Sequence, residues 1–188
     1  MPTRRSLTPA AALPDRPVLG VDPGLLRTGY ALLAAVRSPS AVQLLEAGVI
    51  RLPRHAPLAD RLAELEQSLG TLIRSHQPAA LACEELYAHY RHPRTAILMG
   101  HARGVILVLA ARAGLQIIPV AATNVKKLLT GSGRASKRQV QLAVTATLRL
   151  PTVPEPHDVA DAIAIALCGV RLRHLAEVSG RTARRAQA

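Results

Sequence analysis

Val18-Leu19-Gly20-Val21-Asp22-Pro23-Gly24 is the stretch on which the reading of this chain turns. An unbroken apolar run of this length suits a strand buried on both faces. The acid arrives where the run stops, and Pro-Gly then turns the chain. The pattern recurs further along, where Ala79 to Cys83 is apolar, follows a Gln77-Pro78 break and closes on Glu84. Near the C-terminus, Asp158 and Asp161 lie three apart in His157-Asp158-Val159-Ala160-Asp161-Ala162-Ile163-Ala164, so on a helix they share one face. Acids placed at the ends of apolar segments, in a chain with 12 Asp and Glu against 24 Lys and Arg, point to a divalent cation held against something anionic.

The length of 188 residues fits one domain with one ordinary core. A hydrophobic share of 49% excludes global disorder, and with no Phe, no Trp and 3 Tyr the core must be Leu, Val, Ile and Ala. The net charge of +12 is unevenly spread. Residues 1–16 carry Arg4, Arg5 and Arg16 against Asp15, which makes +2, and residues 171–188 carry five Arg against Glu177, which makes +4. The remaining +6 lies in the centre, where a basic surface beside clustered carboxylates suits nucleic acid better than a basic tail does. Cys83 and Cys168 sit in apolar runs without a C-x-x-C partner, which reads as buried reduced thiols in a cytoplasmic protein. No sustained apolar stretch follows Arg4 and Arg5, which argues against a signal peptide, and no uninterrupted apolar run reaches the roughly 18 residues of a membrane span.

Outward from the first strand, the pattern predicts a flexible basic arm over 1–16, one domain over 17–170 and a basic, disordered tail over 171–188. Strands are expected at about 28–35 and 42–52, with Ser38-Pro39-Ser40 as the turn of an antiparallel meander. Leu58, Leu62, Leu65, Leu69, Leu72 and Ile73 recur at helical spacing over about 57–75. A fourth strand at 79–86 precedes a long helix that His92-Pro93 opens and Gly114 ends, followed by a short strand at 115–120. Thr123 and Ser136 are expected to cap two helices, to Leu129 and Leu148, before a last helix over 157–171. This order matches the ribonuclease H-like arrangement: an α/β fold with a five-stranded mixed sheet flanked by helices. That resemblance implies that the first and fourth strands are neighbours, which would bring Asp22 and Glu84 to one sheet end.

Five motifs sharpen the match. Besides Leu19 to Gly24 with Thr28-Gly29-Tyr30 behind it, they are Glu84-Glu85-Leu86-Tyr87, Gly100-His101-Ala102-Arg103-Gly104, Val125-Lys126-Lys127 with Thr130-Gly131-Ser132-Gly133, and Lys137-Arg138-Gln139-Val140 leading to Asp158 through Ala166. Over 17–170 the chain resembles RuvC-type Holliday junction resolvases in motif order and spacing. The resemblance implies a homodimeric, magnesium-dependent crossover junction endodeoxyribonuclease of DNA recombination and repair. It would nick two strands of like polarity and leave ligatable 5′-phosphate ends, alongside a branch-migration complex of RuvA- and RuvB-type proteins. It makes Asp22, Glu84, Asp158 and Asp161 the catalytic metal ligands, and Tyr87, Lys126 and Lys137 the DNA-binding residues. The family often has an aromatic residue and a proline before the first lysine, where this chain has Val120 and Ala122.

The chemistry fits the residue types. Phosphodiester hydrolysis needs an activated water and a neutralised leaving oxygen, which two Mg²⁺ ions about 3.5–4 Å apart supply. Mg²⁺ takes hard oxygen donors, so Asp and Glu suit it, with Mn²⁺ as a substitute. Asp22 would bridge, with Glu84 on one side and Asp158 and Asp161 on the other. All three lysines of the chain fall between 126 and 137, a compact group suited to phosphate, with Lys127 the least specific. Tyr87 would stack on an unpaired base. Each feature also has a plainer reading: Asp22 as a turn acid, the acid pair as a helix N-terminus, Tyr87 as packing, Glu85 as a structural residue on the opposite side of its strand, and His157 as an exposed residue at a helix N-terminus. Rivals are another ribonuclease H-like nuclease, a non-catalytic junction-binding protein, and a two-domain phosphotransferase for which 188 residues are too few.

Overall fold

The computed structural model describes residues 16–36, 38–86 and 93–185. Five strands, β1 (Val18–Asp22), β2 (Arg27–Val36), β3 (Ser38–Arg51), β4 (Ala80–Glu84) and β5 (Gln116–Val120), form one sheet in the order β3-β2-β1-β4-β5. β1 is antiparallel to β2 and parallel to β4, and β4 is parallel to β5. The first and fourth strands are neighbours, and Asp22 and Glu84 close them at the same end. The helices are α1 (Leu58–His76), α2 (Pro93–Arg112), α3 (Ala122–Thr130), α4 (Lys137–Leu148) and α5 (His157–Arg185).

Strand alternation explains the layers. Val18, Ala80 and Ala82 point into the core under α3, α4 and α5. Leu19, Val21, Leu81 and Cys83 point the other way, against Leu65, Leu69 and Ile73 of α1 and Ile106 of α2. Burial on both faces is why β1 and β4 are almost uninterruptedly apolar. The α5 side is made of small residues, and the helix lies close. A Cβ on Gly20 would stand 2.5 Å from the backbone nitrogen of Ala166, and one on Gly29 would overlap the carbonyl of Asp158. Gly29 is paired in register with Asp22, so the missing side chain lets the first turn of α5 settle over the end of β1.

Several boundaries differ from the sequence expectation. Ser38 to Ser40 belongs to β3 instead of a turn, because β2 and β3 keep pairing through irregularities as far as Val36 and Ser38. β4 stops at Glu84, short of 86. Thr123 lies inside α3 instead of capping it; Ala121, extended and without a side-chain acceptor, is the N-cap. Ser136 does cap α4, in a reciprocal capping box with Gln139. α5 passes the expected end at 171 and continues to Arg185, so residues 171–185 of the expected disordered tail are helical. Leu172, Leu175 and Ala176 are good helix formers there, and Arg173 pairs with Glu177 at 3.1 Å, one turn on. The segment Thr95–Arg112 of α2 is, by length and composition, long and apolar enough to cross a membrane, although His101 and Arg103 interrupt its apolar run.

Candidate active site

Where β1 and β4 end, a cleft of about 590 Å³ opens, and Asp22, Glu84, Asp158, Asp161, Lys126 and Lys137 all line it. Three architectural features deliver them. The strands end side by side, which fixes Asp22 and Glu84. α5 begins over Gly29, which places Asp158 and Asp161 one turn apart above them. α3 and α4 contribute the lysines from the rim. The turn after Asp22 is clamped by Thr28, wholly buried, whose hydroxyl donates to the Gly24 carbonyl at 2.7 Å and accepts from the Gly24 N–H at 3.3 Å.

Crowding these acids has an electrostatic consequence. Burial, then the charges of Asp161, Glu84 and Asp158, push the Asp22 carboxyl up to about 7, with Lys137 opposing. Glu84 is raised as well, by burial and by Asp161, against Lys126 and Lys137. The helix acids have cationic neighbours: Arg27 Nε stands 3.7 Å from Asp158 Oδ2, and Lys137 Nζ 3.7 Å from Asp161 Oδ2. Among the described residues, no three His, Cys, Asp or Glu side chains form a ready-made metal cage. The donor set nonetheless suits a hard divalent cation: four carboxylates face one cleft, and the raised Asp22 carboxyl marks surplus negative charge that such a cation would compensate.

The other candidates fall variously. Lys127 faces away, into a separate groove with Asn124, Cys168 and Arg171. Glu85 donates its N–H to the Val120 carbonyl at 2.9 Å. His157 does not line the cleft; its Nδ1 is 2.6 Å from Nε2 of the buried Gln141. Tyr87 lies outside the described residues. Both cysteines are buried, as expected, and Cys83 is pushed up to about 12 by burial, which suits neither metal binding nor nucleophilic work. Two arginines escaped the sequence reading. Arg27 lines the cleft beside Asp158, and its place in the turn after Asp22 was the available signal. Arg103 Nε donates to the Glu84 carbonyl at 3.0 Å, across 19 residues and with no local signature beyond its motif.

Sheet order, helix layers and the acid cleft at the β1–β4 end define a ribonuclease H-like α/β protein. The model of the family Crossover junction endodeoxyribonuclease RuvC matches residues 18–169. The chain belongs to that family, and so to the hydrolases that cut DNA phosphodiester bonds with metal assistance. It is 51% identical over 152 residues to crossover junction endodeoxyribonuclease RuvC of Rhodopirellula baltica, covering 81% of this chain and 84% of that protein. Identity to the RuvC of Halorhodospira halophila is 43%, over 80% of this chain and 87% of that one. Among solved structures, RuvC of T. thermophilus in complex with Holliday junction substrate matches with a TM-score of 0.76 and 33% identity, over 81% of this chain and 92% of that one.

Proposed function

We propose that this chain resolves four-way DNA junctions at the Asp22 cleft, by symmetric hydrolysis of two strands of like polarity to leave ligatable 5′-phosphate ends. The observation that carries the reading is the convergence of four acids and two lysines from five elements on one cleft, in a chain of this family. Mg²⁺, or Mn²⁺ in its place, is the cation the oxygen donors favour; when bound it would activate a water and neutralise the leaving 3′ oxygen. Asp22, on which the charges of all three other acids act, is the central ligand, with Glu84 on the strand side and Asp158 and Asp161 on the helix side. Lys126 and Lys137 hold phosphates at the rim, and Arg27 helps seat the strand beside Asp158. Tyr87, three residues beyond Glu84, stacks on an unpaired base at the junction centre by the family resemblance.

Two nicks placed symmetrically need two clefts related by a two-fold axis. α2 offers the surface: Ile97 is 61% and Val108 49% exposed, and among the described residues nothing outside the helix's own backbone lies within 4 Å of a Cβ built at Gly100 or Gly104. A second copy packing there gives the apolar length of α2 a protein partner and accords with a cytoplasmic location. Residues 17–170 form the nuclease domain, and RuvA- and RuvB-type proteins are the branch-migration partners the family resemblance implies. The test is a synthetic mobile four-way junction incubated with the protein, with and without Mg²⁺. Paired symmetric nicks that require the metal are expected; binding without cutting in Mg²⁺ or Mn²⁺ would sink the reading.

A further inference from the structure

The peptide unit that joins Glu84 to Glu85 is held at both ends. Its N–H donates to the Val120 carbonyl of β5 at 2.9 Å, and its carbonyl accepts from Arg103 Nε of α2 at 3.0 Å. A peptide unit is planar, so two bonds on opposite edges fix its orientation and with it ψ of Glu84. The direction of the Glu84 Cα–Cβ bond into the cleft follows. β4 ends at this residue, and among the described residues the carbonyl's other donor is the weak Cys83 thiol, with Sγ at 3.8 Å. Arg103 shares a helical face with Thr95 and Met99, which line the cleft, while Ile97, Gly100, Gly104 and Val108 look the opposite way. The charges that act on the Glu84 carboxyl are those of Asp161, Lys126 and Lys137. The bond that the guanidinium makes to Glu84 is to its backbone carbonyl.

We propose that Arg103 is a positioning residue: by pinning the peptide after Glu84 it aims that carboxylate, and it makes the seating of α2 a part of the site. The inference rests on the reading of Glu84 as a metal ligand. Arg suits the task because Nε–H lies on the rigid guanidinium plane, whereas an ammonium on a flexible stem holds no fixed direction.

The test uses the full chain with Arg103→Ala, Arg103→Lys and Glu84→Gln. Thermal midpoint, mass in solution, junction affinity without metal, single-turnover cleavage rate and Mn²⁺ binding to the DNA-free protein (read by the free-ion EPR signal) are compared. For Arg103→Ala, fold, mass and junction affinity stay near wild type. Its cleavage rate falls on the order of 10- to 100-fold, the scale of a small misplacement of a catalytic group, and Mn²⁺ binding weakens with it. Ethylguanidinium raises the rate of Arg103→Ala, while ethylammonium at the same ionic strength does not, and Arg103→Lys stays slow. A wild-type rate in either Arg103 variant overturns the proposal. So does a loss that merely tracks loss of folded protein or junction binding, or an equal response to the two additives. Should Arg103→Ala not fold, Arg103→Lys, which keeps stem and charge, carries the test. If Glu84→Gln cuts at the wild-type rate, the reading of the site fails instead.

Discussion

The cleft holds two kinds of acid, and they are built differently. Asp22 and Glu84 end buried strands, where pairing with Gly29 and Val120 sets where their backbones stand, and their carboxyls are raised by burial before any neighbour is counted. Asp158 in the first turn of α5 and Asp161 one turn on sit at the rim, each with a cation 3.7 Å away. Their place depends on how closely α5 approaches the sheet, which Gly20 and Gly29 permit. Strand acids are thus positioned from the sheet end, Glu84 with Arg103 on the carbonyl beyond the ladder, and cost stability when charged. Helix acids are positioned by packing and compensated at the surface. A site that must collect charge around a cation can combine the two, fixed donors below and adjustable donors above.

The largest effect expected is at the strand acids: Asp22→Asn lowers single-turnover junction cleavage by on the order of a thousandfold or more, while junction binding persists in a gel-shift assay. The next tests the packing of the helix acids. Gly29→Ala places a Cβ onto the Asp158 carbonyl and lifts the start of α5 away from Asp22. Cleavage falls about 100-fold with the protein still folded by circular dichroism. A loss much smaller than this would mean that the helix acids tolerate displacement, and the distinction between the two kinds would weaken.

A third prediction concerns pH. Unfolded, Asp22 loses its proton near pH 4, whereas folded it keeps it to about 7. The folded state binds more protons in that window, so without metal this group makes stability fall as pH rises from about 4 to about 7, by at most about 4 kcal/mol. The raised Glu84 contributes with the same sign. Thermal melts in EDTA check this, and Asp22→Asn should be the more stable protein at pH 8. The smallest effects belong to the rim cations. Lys137→Gln and Arg27→Gln are expected to weaken junction affinity a few-fold each and to reduce its salt dependence by about one counterion in a salt titration. Their thermal midpoints change little, since exposed ion pairs contribute at most about 1 kcal/mol.

The sequence carried the strand acids openly, because an apolar run that stops at an acid is a one-dimensional signal. The same holds for the Ser136 capping box, where Gln139 stands at the required spacing. Helix periodicity likewise placed Asp158 and Asp161 on one face. What was not legible depends on contacts distant in sequence. Arg103 reaches a backbone carbonyl 19 residues away, which no side-chain pattern advertises, and arginines are too frequent in this chain for one to stand out. α5 outruns its expected end because its five arginines read as a solvated tail, whereas Leu172, Leu175 and the Arg173–Glu177 pair continue the helix. Thr123 misled because the strand-to-helix passage falls at Ala121, a residue without capping chemistry.

The central claim is that the strand acids and helix acids form one cation site, and the most direct measurement is a carboxyl titration of Asp22 by NMR, with and without Mg²⁺. Without the cation, Asp22 is expected to titrate near 7, where burial and the other three carboxylates hold it. With saturating Mg²⁺ its midpoint should drop well below that, and the Glu84, Asp158 and Asp161 signals should move at the same metal concentration. An Asp22 midpoint that Mg²⁺ leaves unchanged, with the other three carboxyls equally unmoved, would contradict it.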